Sequence, residues 1–237
     1  MSDKPTFEQE FDNFSWKLAK DKIYAKTCTQ VETALTSRNR SLDDFMSLIS
    51  PAAEPYLEEL AVLSKRATQR RFGKTIQMYL PLYLSNECQN ICTYCGFSYQ
   101  NNIPRKTLTD EEIINEVQII KGYGYDHILL VTGEATKTVG VDFIKNAIKL
   151  IKPYFSNISI EVQPLSQEAY KELSKLGLNT VLVYQETYHR EVYKDYHLKG
   201  KKSNFNYRIN TPDRIGRAAV HKIGLGVLLG LEDWRTD

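Results

Sequence analysis

The sequence predicts an α/β chain, a partial (β/α) barrel of the TIM type with about five parallel strands and an N-terminal helical cap. Three observations predict it. Up to residue 75 the apolar residues recur at helical spacing, with no β-rich run among them. From Ile76 onward short β-rich runs alternate with amphipathic stretches, the pattern of consecutive βαβ units around a parallel sheet. Polar or sulfur-bearing residues stand at or near the end of every successive run. Parallel strands deliver those ends to one face, as in a barrel, whereas a doubly wound sheet typically does not use every consecutive strand.

Residues 1–75, the expected cap, hold three helical stretches. The first is KLAKDKIYAKTCTQVETALTS. The second, SLDDFMSLISP, has Ser41 as its N-cap, and the third, AAEPYLEELAVLSKRATQRRFG, is ended by Gly73. Residues 76–237 form the expected barrel domain, which opens on IQMYLPLYL as its first strand. The helix LTDEEIINEVQIIKGYG, the strand HILLVTGE, the helix VDFIKNAIKLIKPYF and the strand ISIEVQP follow. The helix SQEAYKELSKLG, the strand TVLVYQET, the helix TPDRIGRAAVHKIG and a fifth strand, LGVLLGL, complete the series. Cys88 to Cys95 follow the first strand, Thr132-Gly133-Glu134 end the second, and Glu161 lies in the third. Gln185-Glu186-Thr187 end the fourth, and Glu232-Asp233 follow the fifth. A whole (β/α)8 barrel takes ~250 residues, and the ~160 that follow the cap suffice for about five βα units. The barrel is therefore expected to be incomplete at its C-terminus. Right-handed crossovers should pair the strands in sequence order, leaving the first and fifth as edges that invite aggregation or association.

Composition narrows the function. Among 237 residues, 42% hydrophobic and 25% charged is a globular composition, and 31 basic against 29 acidic residues give a net charge of +2. No broad basic field for nucleic acid follows from that balance. The N-terminal MSDKPTFEQEFDNF has no apolar signal core, and no later apolar run is long enough to span a bilayer, so a cytoplasmic protein without a membrane partner is expected. Thiols stay reduced in that compartment, which makes clustered cysteines ligands rather than disulfide partners. Cys28 stands apart and is expected to be a small buried apolar side chain. Arg70-Arg71 and Lys199 to Lys202 are expected to be solvated surface, and His127 a polar turn residue.

The chemistry is concentrated in CQNICTYCGF, where Cys88, Cys92 and Cys95 are spaced C-x3-C-x2-C on one loop. Three thiolates at such short intervals can wrap one compact metal centre. A structural zinc asks for four ligands, as does an electron-transfer cubane, and no fourth cysteine or suitably spaced histidine is near. Three ligands to a four-iron cluster leave one iron open to chelate a substrate.

These residues resemble the radical S-adenosylmethionine (SAM) superfamily, whose loop is C-x3-C-x-aromatic-C, matched by Cys88, Cys92, Tyr94 and Cys95. Its second motif, a glycine and a glutamate ending the next strand, is matched by Gly133-Glu134. VYQETYHREVY, HLKGKKSNFNYRINTPDRIGRAAVHKIGLGVLLGL and PLYLSNECQNICTYCGF resemble more closely the 2-iminoacetate synthases, tyrosine lyases of thiamine thiazole biosynthesis. The resemblance implies a [4Fe-4S] cluster on the three cysteines, SAM as cofactor, and a 5′-deoxyadenosyl radical that leads L-tyrosine to 2-iminoacetate and p-cresol. By the same resemblance Glu134 accepts from the SAM amino group, Arg208 pairs with its carboxylate, and Glu186 contacts ribose or substrate. Gly226, Leu228 and Gly230 let the fifth strand lie against adenine, and Glu161 is a further cofactor-binding candidate from its strand position. Implied partners are a thiazole synthase and an electron donor such as flavodoxin or ferredoxin. Two other readings stay open: the tyrosine lyase of hydrogenase cofactor maturation, which shares the QETYH stretch, and a truncated, non-catalytic metal-binding remnant.

Overall fold

The computed structural model describes residues 5–237, which divide into two compact units. One holds Phe11–Ile76 with Asp233–Asp237; the other holds the described residues up to Glu10 with Gln77–Glu232.

The helical stretches follow their capping residues. After α1 (Phe7–Asp12), Ser15 caps α2 (Trp16–Tyr24) by accepting from the Leu18 N–H. The single helix expected from residue 17 to 37 is in fact two. Thr27 accepts from Gln30 N while Gln30 Oε1 accepts from Thr27 N, a reciprocal box that starts α3 (Cys28–Thr36) afresh. Cys28 is the first residue of that helix and is exposed, contrary to the expectation of a buried position. Ser41 caps α4 (Leu42–Ile49) as expected, its box closed by Asp44. A 3-10 turn at Pro51–Tyr56 leads to α5 (Leu57–Phe72), which Gly73 ends at φ 69°, a region open to glycine at little steric cost. Val31, Leu35 and Ala53 form the small core of this unit.

The second unit is a five-stranded parallel sheet with helices on one face. In chain order its elements begin with β1 (Leu80–Ser85), the two-residue β2 (Ile91–Cys92), α6 (Asp110–Gly122), β3 (His127–Thr132) and α7 (Val141–Ile151). They continue with β4 (Asn157–Glu161), α8 (Gln167–Lys175), β5 (Leu178–Leu182), α9 (Arg190–Tyr196) and β6 (His197–Lys199). A 3-10 turn (Lys201–Ser203), α10 (Phe205–Ile209), α11 (Thr211–Arg217) and β7 (Lys222–Gly224) complete the series. The sheet order is β1-β3-β4-β5-β7, so the strands lie side by side in sequence order and β1 and β7 are its edges. Alternate strand residues such as Leu84, Leu130, Ile160 and Val181 meet Ile113 and Val117 of α6, Ile144 and Ile148 of α7, and Leu173 of α8 in one core. Each such side chain contributes about 1.5–3 kcal/mol by leaving water.

The boundaries differ from the sequence expectation in three places. Residues 76–79 lie before β1 rather than within it, and Ile76, Met78 and Tyr79 are exposed. His127 is the first residue of β3, not a turn residue. The fifth strand is Lys222–Gly224, inside the stretch expected to be helical, and LGVLLGL is not a strand. α11 stops because Ala219 takes φ 56°, and the ladder to β5 then lasts only from Lys222 to Gly224. A Cβ on Gly224 would meet Leu182 at 2.2 Å and one on Gly226 would meet the Tyr184 ring at 2.6 Å, so the chain passes tight against β5 as it leaves the sheet. Beyond that, Leu228 N donates to Glu186 O at 2.7 Å, and Gly230 turns the chain at φ 99°. No helix of the described residues is long and apolar enough to cross a membrane.

Candidate functional site

The cysteine loop follows β1 and is fastened on several sides. β2 pairs antiparallel with β6, setting Cys92 opposite His197. The Arg105 guanidinium donates to the carbonyls of Asn86, Phe97 and Ser98 at 2.7–2.9 Å, and Asn101 Nδ2 donates to the Cys95 and Gly96 carbonyls. Gly133 makes room for the loop, because a Cβ there would stand 2.2 Å from Glu87 O. Gln89 N then donates to Glu134 O at 3.0 Å, joining the loop to the end of β3.

All three thiols are free. Burial pushes the Cys92 thiol up to about 11, and the neighbouring Cys95 and Cys88 push in the same direction against the pull of Lys202. The Cys92 thiol is therefore held protonated near pH 7, and a metal centre bound there would have to displace its proton. Among the described residues no three His, Cys, Asp or Glu side chains are grouped to hold a single metal ion. Thiolates of an iron–sulfur cluster bind separate irons, so three free cysteines on one braced loop suit a cluster better than a lone ion.

Around the loop two ion pairs form, each largely shielded from solvent. Arg208 Nη1 lies 2.7 Å from Glu134 Oε1, with the side chains only 7% and 12% exposed, and Arg208 Nε donates to Tyr184 O at 2.7 Å. Arg208 is thus no surface charge. Burial opposes the charged form of Glu134, but Arg208, followed by Lys202, holds its carboxyl below the usual range. Lys202 Nζ lies 2.7 Å from Glu186 Oε1, with exposures of 13% and 14%, and 5.6 Å from the centre of the Tyr94 ring. Lys202 was expected to be solvated surface; instead the turn after β6 carries it inward. Glu186 has φ 73°, unusual for a residue with a side chain. Glu161 ends β4 in register with Val131 on one side and Leu182 on the other, and burial, then the charge of Glu186, raises its pKa.

Tyr94 is held by the buried His197. Tyr193 O can only accept, so His197 Nδ1 carries the proton in its 2.8 Å bond to that carbonyl. Burial lowers His197 to about 4, leaving the ring neutral near pH 7 and Nε2 free to accept from the Tyr94 hydroxyl at 2.7 Å. Asn90, buried between Cys88 and Cys92, donates from Nδ2 to Glu134 Oε2 at 2.9 Å.

A family model described as the radical SAM superfamily matches residues 82–236. The chain belongs to that superfamily. The superfamily implies an iron–sulfur cluster and SAM, which the cysteine loop and its acidic and basic surroundings suit. The chain is 50% identical over 233 residues to the 2-iminoacetate synthase of Salmonella typhimurium and 49% identical to that of Escherichia coli strain K12. Each match covers 98% of this chain and 62% of the relative, so the chain spans about three fifths of their length. Among solved structures it resembles the FeFe-hydrogenase maturase HydG from Carboxydothermus hydrogenoformans, with a TM-score of 0.82 and 29% identity over 97% of this chain and 53% of that one.

The structure joins Glu134 to Arg208 and Glu186 to Lys202, and it sets Tyr94 and Cys92 beside them. Gly226 packs on Tyr184, and Leu228 is tied by its backbone to Glu186. A Cβ on Gly230 would meet nothing within 4 Å. Asp233 belongs to the helical unit, where its carboxylate accepts from the Tyr24 hydroxyl. Asn90, His197 and Lys202 are the residues that sequence reasoning missed. Asn90 lay in plain view between two cysteines, but its partners are far along the chain.

Proposed function

We propose that the chain carries the SAM-binding and radical-generating part of a lyase that cleaves the Cα–Cβ bond of L-tyrosine to 2-iminoacetate and p-cresol for thiamine thiazole biosynthesis. The observation that carries this reading is the 50% identity to 2-iminoacetate synthase across 98% of the chain, with the motif residues gathered in one network. Cys88, Cys92 and Cys95 would hold a [4Fe-4S] cluster. With SAM bound and an electron supplied by a reductant, such a cluster would supply the radical chemistry that begins cleavage of tyrosine.

The chain's own residues would bind and shield. Glu134, kept ionised by Arg208, accepts from the SAM amino group, for which a carboxylate already bonded on each oxygen still has lone pairs. Arg208 has N–H groups beyond those bonded to Glu134 and Tyr184 O, and these take the SAM carboxylate. Lys202 pairs with Glu186 at 2.7 Å and holds its carboxylate where it can meet a ribose or substrate hydroxyl. Glu161 stands by with its proton affinity raised. Tyr94, fixed by His197, would present its ring to the cofactor, and Gly226, Leu228 and Gly230 would lie against the adenine. The expected partners are a thiazole synthase, which would take the unstable imine product directly, and a low-potential flavodoxin or ferredoxin.

The HydG likeness favours one second reading, a tyrosine lyase of hydrogenase maturation. Anaerobic reconstitution followed by SAM, reductant and tyrosine should yield p-cresol and 5′-deoxyadenosine. Thiamine-independent growth of a strain lacking its own synthase supports the thiazole role, and turnover without such growth supports the second reading. Bound iron with no SAM cleavage would overturn both and leave a metal-binding module.

A further inference from the structure

Asn90 belongs to neither motif, yet it is 1% exposed, and its side-chain amide and backbone carbonyl bond to separate parts of the site. Nδ2 donates to Glu134 Oε2 at 2.9 Å. Oδ1 accepts from Lys202 N at 3.0 Å, and the backbone O accepts from Tyr99 N at 2.8 Å, closing the cysteine loop on itself. The turn approaches closely enough to be reached only because residue 200 is glycine. Its φ is 95°, and a Cβ there would stand 2.2 Å from Asn90 Oδ1 and 2.8 Å from Asn90 Cα. One side chain thus spans the cysteine loop, the glutamate after β3 and the turn after β6.

From this geometry we infer that Asn90 is a positioning residue, which aims Glu134 and anchors the Gly200–Lys202 turn so that both ion pairs stand at fixed places beside the cysteine loop. The amide suits the task because it offers a donor to a carboxylate and an acceptor to a backbone N–H at once. Arg208 holds one oxygen of Glu134 and Asn90 the other, so the carboxylate plane is fixed from two sides. Without Asn90, Glu134 could turn about its last bond while still paired with Arg208. The Lys202 backbone would lose its anchor, and with it the line from Lys202 to Glu186.

The part of this inference that concerns SAM rests on the function proposed above; the anchoring of the turn does not. The test uses the reconstituted chain and the variants Asn90→Ala and Asn90→Asp. Both keep the three thiols, so iron and sulfide content should stay at the wild-type level. Asn90→Ala should bind SAM about 10-fold more weakly in equilibrium dialysis, the loss of one hydrogen bond to a charged group. Asn90→Asp keeps the acceptor for Lys202 N but sets a carboxylate against Glu134, so it should bind SAM more weakly still. A residue that merely filled space would rank the other way, the near-isosteric aspartate behaving like the wild type. In the cluster-free protein, trypsin should cut at Lys201 and Lys202 several-fold faster in Asn90→Ala than in the wild type or Asn90→Asp, both of which keep the turn anchored. Wild-type SAM affinity in a cluster-loaded Asn90→Ala, or an alanine variant weaker than the aspartate, would overturn the inference. If the wild type itself binds no SAM, the proposed function falls and trypsin decides alone; equal cutting in all three proteins then refutes the anchoring.

Discussion

Replacing Arg208 by alanine tests the electrostatic logic of the site. In the wild type Arg208 and Glu134 are side chains of 7% and 12% exposure at 2.7 Å, so neither charge is hydrated to any useful extent. Removing the guanidinium leaves a buried carboxylate with Asn90 as its one side-chain hydrogen-bond partner among the described residues and Lys202 as a remaining positive influence. Breaking a buried pair in this way costs about 3–5 kcal/mol. With a urea slope of about 2–3 kcal/mol per molar, the unfolding midpoint should fall by roughly 1–2.5 M at pH 7.5.

The pH dependence should change sign as well. The folded pKa of Glu134 lies below 4.5, so its contribution to wild-type stability is complete above that value and is lost only as pH falls through the lower folded one. Burial is the largest influence on this group and acts upward, so without Arg208 the folded pKa should rise above 4.5. Glu134 then opposes folding, increasingly as pH rises above 4.5 and fully once pH exceeds the new folded value. The deficit of Arg208→Ala should therefore be smaller at pH 4.5, where it begins to grow, than at pH 7.5. Adding Glu134→Gln to Arg208→Ala should recover part of the loss, since no unpaired charge remains. Anaerobic urea unfolding of the metal-free proteins at both pH values measures all of this. A deficit under about 1 kcal/mol at pH 7.5, or one equal at both pH values, would refute the reasoning, because a pair worth so little is exposed rather than buried.

Changing Cys88, Cys92 or Cys95 to alanine should abolish a stable iron centre, while Cys28→Ala, exposed at the start of α3, should leave iron content unchanged after reconstitution. Gly133→Ala should lower iron occupancy and cost about 1–3 kcal/mol because its Cβ would lie 2.2 Å from Glu87 O, whereas Gly96→Ala, with nothing within 4 Å, should load normally; the two are compared by iron analysis and thermal melting. Lys202→Met should leave the cluster intact and cost about 1.5–3 kcal/mol in urea unfolding, as Glu186 loses its charged partner. Tyr83 is 54% exposed on the edge strand β1, and Tyr83→Lys should reduce self-association in sedimentation velocity if that edge is sticky.

Sequence alone determined what depends on neighbours a few residues apart. The 3.6-residue recurrence of Ile113, Val117 and Ile120 and the runs HILLVT and NISIE specify helix and strand locally, and right-handed crossovers then leave little choice but strands in sequence order. The spacing of Cys88, Cys92 and Cys95 likewise marks a candidate metal loop, because the three thiols lie within eight residues of one another. Capping is local too, yet the Thr27 box was overlooked inside a run that looked continuously helical. Edges were misread where tertiary contact overrides propensity: LGVLLGL has the composition of a strand, but the ladder to β5 is already spent at Gly224. Only the tertiary structure decided which charges meet. Asn90 and Glu134 are 44 residues apart, Arg208 and Glu134 74, and Lys202 and Asn90 112. Lys202 sits in a run, GKK, that reads as solvated surface, and nothing in its neighbours says that one lysine of that run turns inward. That direction comes from β6 pairing with β2 and from the bare glycine at 200, which lets the turn settle on Asn90. Local periodicity encodes the layers of a sheet and its helices. The pairing of buried charges depends on which loops the finished layers bring within 3 Å of one another.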